Sequence, residues 1–202
     1  ISAIVKGARN FKSKLCGVLE SMNYINAIIY LKSSRELQLV TGAEYKRSFA
    51  NIITDLDKLQ AAYRIIEMLN KSVINYDANQ QIFQLLIRTY ELLNNSQKNI
   101  QQCVLYFQIK LVRILGVGPD FTENDSDFET FFQYNEFCLS KYQIKVLSTL
   151  KNNSIENLPE TEIEENILIS LIEGYEKYLL LHTHGHKFYK SKKIFMEIKS
   201  TT

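Results

Sequence analysis

The sequence predicts an α+β protein, with a small β module at the N-terminus and helices in the rest of the chain. Residues 1–47 contain short segments of β-branched and aromatic residues separated by polar turns, a pattern typical of antiparallel strands. From about Phe49 the apolar residues recur every three or four positions, which is the spacing of amphipathic helices. The segment 100–119 is so apolar that a helix there must be covered by other elements on several sides.

Four segments of the β module are predicted to be strands. They lie around Ala3, at 15–19, at 24–31 and from Leu37 onward, with a polar turn at 32–35. Such short strands suggest a small antiparallel barrel or sandwich. Residues 1–47 are few for a closed barrel, and the sequence does not begin with Met. We therefore expect a first strand to be missing and a sheet edge to be left open.

Five helices are predicted after Phe49. They cover 51–72, a segment ending at 94–96, the apolar segment 100–119, 140–152 and 159–182. Gly116 and Gly118 are expected to take the left-handed conformation that closes the third helix, and Pro119 prevents that helix from continuing. We therefore divide the chain into a β domain at 1–48 and a helical domain at 49–202.

The net charge of +2 hides an uneven distribution along the chain. Residues 1–50 contain eight Lys or Arg against three Glu, whereas residues 119–181 contain four basic and thirteen acidic residues. A basic head beside an acidic body predicts one end that binds a polyanion and a body that repels nucleic acid. The alternative is that these charges only solvate the surface.

Cysteine content and hydropathy predict the compartment. The three cysteines, Cys16, Cys103 and Cys138, are too scattered for a disulfide framework, which fits a reducing cytoplasm. Cys103 is expected to be a small core residue. No stretch approaches the roughly 18 consecutive apolar residues of a membrane-spanning helix, so we expect no membrane partner.

The sequence contains none of the short motifs that would predict an enzyme or a bound cofactor. It has no phosphate-binding or dinucleotide-binding glycine pattern and no Gly-x-Ser-x-Gly. The acidic segment 120–129 lacks the Gly and the terminal Glu of an EF-hand loop. His182, His184 and His186 alternate as metal ligands can, but no further ligand is spaced to complete a site. We interpret them as polar residues at a helix exit and predict no metal.

Basic residues near the N-terminus form the most specific pattern. Four cations lie within nine residues: Lys6, Arg9, Lys12 and Lys14. Small residues separate them and Phe11 lies among them, a mixture suited to phosphate contacts with one ring available to stack on a base. The expected DNA-binding face extends to four further cations: Lys32, Arg35, Lys46 and Arg47. The alternative is that these residues form a hairpin whose charges contact only solvent and bind no DNA.

Five stretches, in order along the chain, carry a resemblance to a known family. They are Ile4-Val-Lys-Gly-Ala-Arg9 with Lys12-Ser13, Arg35-Glu-Leu-Gln38, Ala62-Tyr-Arg-Ile-Ile-Glu-Met-Leu69, Phe107 to Pro119, and Phe188-Tyr-Lys-Ser191. These stretches resemble the barrel strand with its basic turn, the strand-turn region, the first long helix, the helix ending in Leu-Gly-x-x-Pro-Asp, and the C-terminal Leu-Lys-Ser of the bacterial recombination mediator family RecO. The resemblance covers nearly the whole chain.

The resemblance implies a partial N-terminal oligonucleotide-binding (OB) barrel followed by a helical domain, and a non-enzymatic role in DNA repair. Proteins of this family bind single- and double-stranded DNA, anneal complementary strands and, with RecR, help the recombinase load on DNA coated by single-strand-binding protein. The acidic, apolar tail of that protein is expected to dock on the helical domain, where the candidate cations are Arg88, Lys110 and Arg113. The alternative function is a helical protein-interaction module without direct DNA binding.

The sequence departs from the family pattern in two places. Family members usually begin with further residues that form the first barrel strand or strands. Many also carry two Cys-x-x-Cys pairs after the helix that ends at Pro119, where this chain has only Cys138. Because one cysteine cannot hold a tetrahedral zinc ion, we predict no zinc, and expect the aromatic cluster at 128–137 to hold this segment instead.

Overall fold

The computed structural model describes residues 2–8, 10, 12–13, 15–73, 79–96, 99–118, 140–154, 163–183, 191, 194–195 and 197–198. Contacts divide the chain into two compact units, Ile1–Thr54 and Asp55–Thr202. We call them the sheet unit and the helical unit. The described residues form one three-stranded sheet and six helices, so the predicted α+β class is confirmed.

The sheet unit is built on three strands in the order β1-β3-β2. They are β1 (Ala3–Ile4), β2 (Asn23–Tyr30) and β3 (Gln38–Ser48). The long strands β2 and β3 pair antiparallel, with Tyr30 opposite Leu39 and Asn23 opposite Ser48. The short β1 pairs parallel to the start of β3, with Ala3 opposite Gln38. Among the described residues this sheet is open, with β1 and β2 at its edges.

Two irregularities interrupt the pairing of β2 with β3. Thr41 lies between Val40 and Gly42, which pair with Ile29 and Ile28, and so has no opposing residue. Its hydroxyl donates to the Ile28 carbonyl at 3.2 Å. Lys46 is skipped in the same way between Tyr45 and Arg47. Such β-bulges bend a strand and increase its twist.

The strand predicted at 15–19 is wrong, because the structure has successive turns there. The Cys16 amide donates to the Ser13 carbonyl at 3.1 Å, and the Leu19 amide donates to the Leu15 carbonyl at 3.1 Å. Leu15, Val18 and Leu19 are three and four residues apart, which is the period of a helical turn and not the alternation of a strand.

Six helices are described after the sheet. They are α1 (Ala50–Thr54), α2 (Leu56–Ser72), α3 (Gln80–Asn95), α4 (Ile100–Ile114), α5 (Lys141–Asn152) and α6 (Glu165–His182). The single helix predicted at 51–72 is wrong, because Asp55 interrupts it. The Asp55 carboxylate accepts from the amides of Asp57 at 3.0 Å and Lys58 at 3.2 Å, which caps α2. The last helix begins at Glu165 and not at 159, since Ile163 and Glu164 precede it outside the helix.

Helix α4 lies at the centre of the helical unit and contacts α2, α3, α5 and α6. Its residues from Gln102 to Ile109 are all buried, as the apolar sequence predicts. The polar Gln108 is fully buried too, and its Nε2 donates to the Ile172 carbonyl of α6 at 3.1 Å. This bond offsets only part of the cost of burying the amide, because Gln108 Oε1 is also buried and has no hydrogen-bond partner among the described residues.

The end of α4 is closed by two backbone hydrogen bonds. Gly116 has φ +71° and donates to the Arg113 carbonyl, and Val117 donates to the Val112 carbonyl, each at 3.1 Å. This is the Schellman arrangement, and it confirms the left-handed conformation predicted for Gly116. Gly118 does not have a positive φ. It is needed because an added Cβ would lie 3.1 Å from the Arg113 nitrogen.

Further contacts hold distant segments of the helical unit together. The Tyr178 hydroxyl donates to the Val117 carbonyl, and this bond links the residues after α4 to α6. The Ser191 amide and hydroxyl donate to Glu67 Oε2 on α2 at 3.1 Å and 2.6 Å. In the part of the chain that the structure describes, no helix is long and apolar enough to cross a lipid bilayer.

Candidate functional site

The first basic segment follows β1 as a series of turns. The Asn10 amide donates to the Gly7 carbonyl at 3.0 Å, where Gly7 has φ +75°, and the Lys12 amide donates to Asn10 Oδ1 at 3.0 Å. Lys6 and Lys12 are exposed on these turns. Three other predicted DNA-binding residues lie outside the described residues: Arg9, Phe11 and Lys14.

The second basic segment is the turn between β2 and β3. Lys32 and Arg35 are exposed there, and the Arg35 amide donates to the Lys32 carbonyl at 3.0 Å. The side chain of Gln38, 6% exposed, lies under the turn and bonds to its backbone. Sequence reasoning did not assign Gln38 a role. Its position at the start of β3, next to a turn with two cations, is the only signal in the sequence.

Lys46 and Arg47 lie at the opposite end of the hairpin. Leu39 pairs beside the turn, and Arg47 pairs with Tyr24 near the start of β2. At about 3.3 Å per residue, Lys46 is about 23 Å along β3 from Leu39. The Lys46 Nζ is 2.9 Å from Glu44 Oε2, so its charge is partly offset within the strand. The structure therefore does not bring these two cations next to Lys32 and Arg35.

The three cations proposed for partner binding, in contrast, line one cavity of about 340 Å³ in the helical unit. Its walls come from α3, α4 and the residues after α5. They are Gln81, Gln84, Leu85, Arg88, Tyr106, Lys110, Arg113, Ile114 and Ser154. We call this site the cationic pocket.

Lys110 is fixed in the wall of the cationic pocket. Its Nζ donates to the Lys151 carbonyl at 2.7 Å and lies 5.1 Å from the centre of the Tyr106 ring. Burial lowers the pKa of Lys110, and the nearby positive charge of Arg113 lowers that pKa further. The exposed Arg88 and Arg113 make no ion pair with any described residue. None of the described residues that line the pocket is acidic, so this part of the pocket favours an anionic ligand.

Candidate metal ligands do not gather in the described residues, where no group of three or more His, Cys, Asp or Glu could hold a metal ion. His182 Nδ1 is 3.0 Å from the Tyr178 carbonyl, and the centres of the His182 and Tyr178 rings are 4.1 Å apart. Cys103 is buried, as expected for a core residue, and burial raises the pKa of its thiol to about 11. His184, His186, Cys138 and the segment 120–137 lie outside the described residues.

Comparison with known proteins identifies the family. The family model described as "Recombination protein O C terminal" matches residues 53–192. Proteins named "DNA repair protein RecO" are similar over different lengths. The Chloroherpeton thalassium protein is 24% identical over 98% of this chain and 87% of its own length. The Pelodictyon phaeoclathratiforme protein is 35% identical, and that from Chlorobium phaeobacteroides strain BS1 36%, each over 59% of this chain and 46% of the relative. The chain belongs to the recombination protein O (RecO) family.

Proposed function

We propose that this protein is a DNA repair and recombination mediator that binds DNA, anneals complementary strands and helps load the recombinase on DNA coated by single-strand-binding protein. Membership of the RecO family and the relatives' name, "DNA repair protein RecO", support a role in DNA repair. In this proposal the protein makes and breaks no covalent bond and needs no cofactor. RecR is its proposed partner, by the family resemblance.

The proposed DNA-binding module is residues 1–48, part of an OB barrel. The observation that carries this proposal is the exposure of Lys6, Lys12, Lys32 and Arg35 on hydrogen-bonded turns of the sheet unit. Mobile cations on ordered turns neutralise phosphates, and this lowers the repulsion between two strands that are brought side by side. The proposed set also includes Arg9, Phe11, Lys14, Lys46 and Arg47.

Salt dependence of DNA binding tests this proposal. Replacing Lys6, Arg9, Lys12 and Lys14 by Ala should weaken binding of the full chain to single-stranded DNA. It should also reduce the slope of log affinity against log salt by about 0.7 for each phosphate that is no longer neutralised. The matched control replaces exposed lysines of the helical unit, Lys141 and Lys145, by Ala. Unchanged affinity and slope in the quadruple variant would reject the assignment.

The cationic pocket is the proposed docking site for the acidic, apolar tail of single-strand-binding protein. Three cations, with no carboxylate among the described lining residues, suit the acidic part of such a tail, and Leu85, Tyr106 and Ile114 offer apolar contacts. Truncating a charged anchor at an interface commonly costs more than 1 kcal/mol, or about fivefold in affinity. We expect Arg88→Ala and Arg113→Ala each to weaken binding of an acidic peptide ending in an apolar residue by at least that factor. Lys145→Ala should not.

The second candidate function is a helical protein-interaction module without direct DNA binding, which the cationic pocket also supports. The two functions differ in one measurement. A chain that binds the acidic peptide but shows no salt-dependent affinity for single-stranded DNA is the interaction module. A chain that binds DNA through its sheet unit is the mediator.

A further inference from the structure

Gln38 makes three hydrogen bonds to the backbone of the β2–β3 turn. Its Oε1 accepts from the Lys32 amide at 2.8 Å, and its Nε2 donates to the carbonyls of Lys32 at 3.2 Å and Arg35 at 2.7 Å. Both donors of the amide and one lone pair of its oxygen are therefore used. The two residues whose backbones it holds are the two exposed cations of the turn.

The backbone of Gln38 also bonds to the chain just before the other basic segment. Its amide donates to the Ser2 carbonyl at 2.9 Å, and Gln38 is the register partner of Ala3 in β1. The chain leaves β1 directly into the turns that carry Lys6. One buried residue thus bonds to the turn before β3 with its side chain and to Ser2, next to β1, with its main chain.

We propose that Gln38 is a positioning residue for DNA binding, which holds Lys32 and Arg35 in place for phosphate contact. This inference rests on the proposed DNA-binding function. Because the Gln38 side-chain bonds order the backbone of the turn before DNA binds, less backbone entropy has to be lost on binding. Gln38 itself does not need to touch DNA, since its side chain is buried and its polar atoms are used.

A double-mutant cycle tests the proposal with the full chain and a labelled oligothymidine as the probe. Gln38→Met removes all three bonds at similar volume, and Gln38→Asn keeps the amide but shortens its reach by one methylene. Each should weaken DNA binding roughly three- to tenfold. In a Lys32→Ala/Arg35→Ala background neither should have a further effect, because the groups through which Gln38 acts are gone.

Thr41→Val is the matched control, because it also removes a side-chain bond to the backbone of the same hairpin, away from the turn. It should leave affinity and salt slope unchanged. Equal losses from Gln38→Met in both backgrounds would show a merely structural role and overturn the proposal. The proposal is also overturned if Gln38→Met leaves DNA affinity unchanged although Lys32→Ala/Arg35→Ala weakens it. If that double variant binds DNA normally, the turn makes no phosphate contact, and its assignment under the proposed function fails along with this inference.

Discussion

Arg64 on α2 donates its Nε hydrogen to Glu176 Oε1 on α6, inside the helical unit. The two side chains are 13% and 5% exposed, so the pair is largely removed from water. Arg64 Nη2 is buried too, and it has no hydrogen-bond partner among the described residues. The pair therefore joins two helices but leaves some hydrogen-bond donors of the guanidinium without a partner among the described residues.

Arg64→Met should lower the free energy of unfolding by about 3–5 kcal/mol, because it removes the guanidinium that pairs with the buried Glu176 carboxylate. Adding Glu176→Leu should recover most of that loss, since two apolar residues leave no buried charge. Urea unfolding of the single and double variants measures both effects. Additive losses in the double variant would contradict this account.

Gly116→Ala and Gly118→Ala should each destabilise the helical unit, for different reasons. At Gly116 the left-handed φ is strained for Ala, by about 1–2 kcal/mol. At Gly118 the new Cβ would meet backbone atoms of Arg113 and Val112 at 3.1–3.3 Å, and these atoms cannot move independently. Gly17→Ala is the control, because nothing lies within 4 Å of its added Cβ and its φ is not positive. Thermal unfolding midpoints that fall equally in all three would rule out this explanation.

Stability should fall as pH rises above about 9. The folded-state pKa of Cys103 is about 11 against an ordinary 9.0, so between these values the unfolded chain releases a proton that the folded chain retains. The shift corresponds to a loss of about 3 kcal/mol across that range. Burial also raises the pKa of Tyr90 and Tyr175, which adds to the loss above pH 10.

Urea midpoints from pH 7 to 11 measure this loss. Cys103→Ala should make the decline between pH 9 and 11 shallower, whatever its effect at pH 7. An identical pH dependence in both proteins would show that the buried thiol does not contribute.

Ser140→Ala should destabilise α5 by about 1 kcal/mol, because it removes an N-cap. The Ser140 hydroxyl accepts from the Gln143 amide at 3.2 Å, and Gln143 Oε1 accepts from the Ser140 amide at 2.8 Å. This capping box satisfies two amides at once. Ser140→Asp should retain most of the stability in urea unfolding. A loss as large as that of Ser140→Ala would contradict the cap.

Much of the fold could be predicted from the sequence, because the apolar residues of most helices recur with one clear period. The burial of α4 follows from its nearly continuous apolar sequence, and the left-handed Gly116 follows from a glycine placed at the helix end. The break at Asp55 was missed because apolar residues continue at helical spacing on both sides, at Ile52 and Leu56, and hide a polar cap. The helical spacing of Leu15, Val18 and Leu19 was mistaken for a strand.

The candidate sites are less predictable, because they depend on which distant residues meet. The sequence shows the cations of the cationic pocket but not that Arg88 and Lys110, on different helices, line the same cavity. It shows Lys32 and Lys46 as similar basic residues, whereas the register of β2 with β3 places them at opposite ends of a hairpin. Beyond its position beside the turn, Gln38 gave no signal, because the role of an amide depends on partners that the sequence does not show.

Helix α4 contacts the four other helices that the structure describes in the helical unit, α2, α3, α5 and α6. Opening any part of the unit enough to expose α4 would therefore disrupt several interfaces together. Unfolding should be cooperative, and the amides of α4 should be among the last to exchange their hydrogens with solvent, at a free energy close to that of global unfolding. A fragment that ends before Ile100 would leave the apolar faces of α2 and α3 uncovered and should not hold its fold alone.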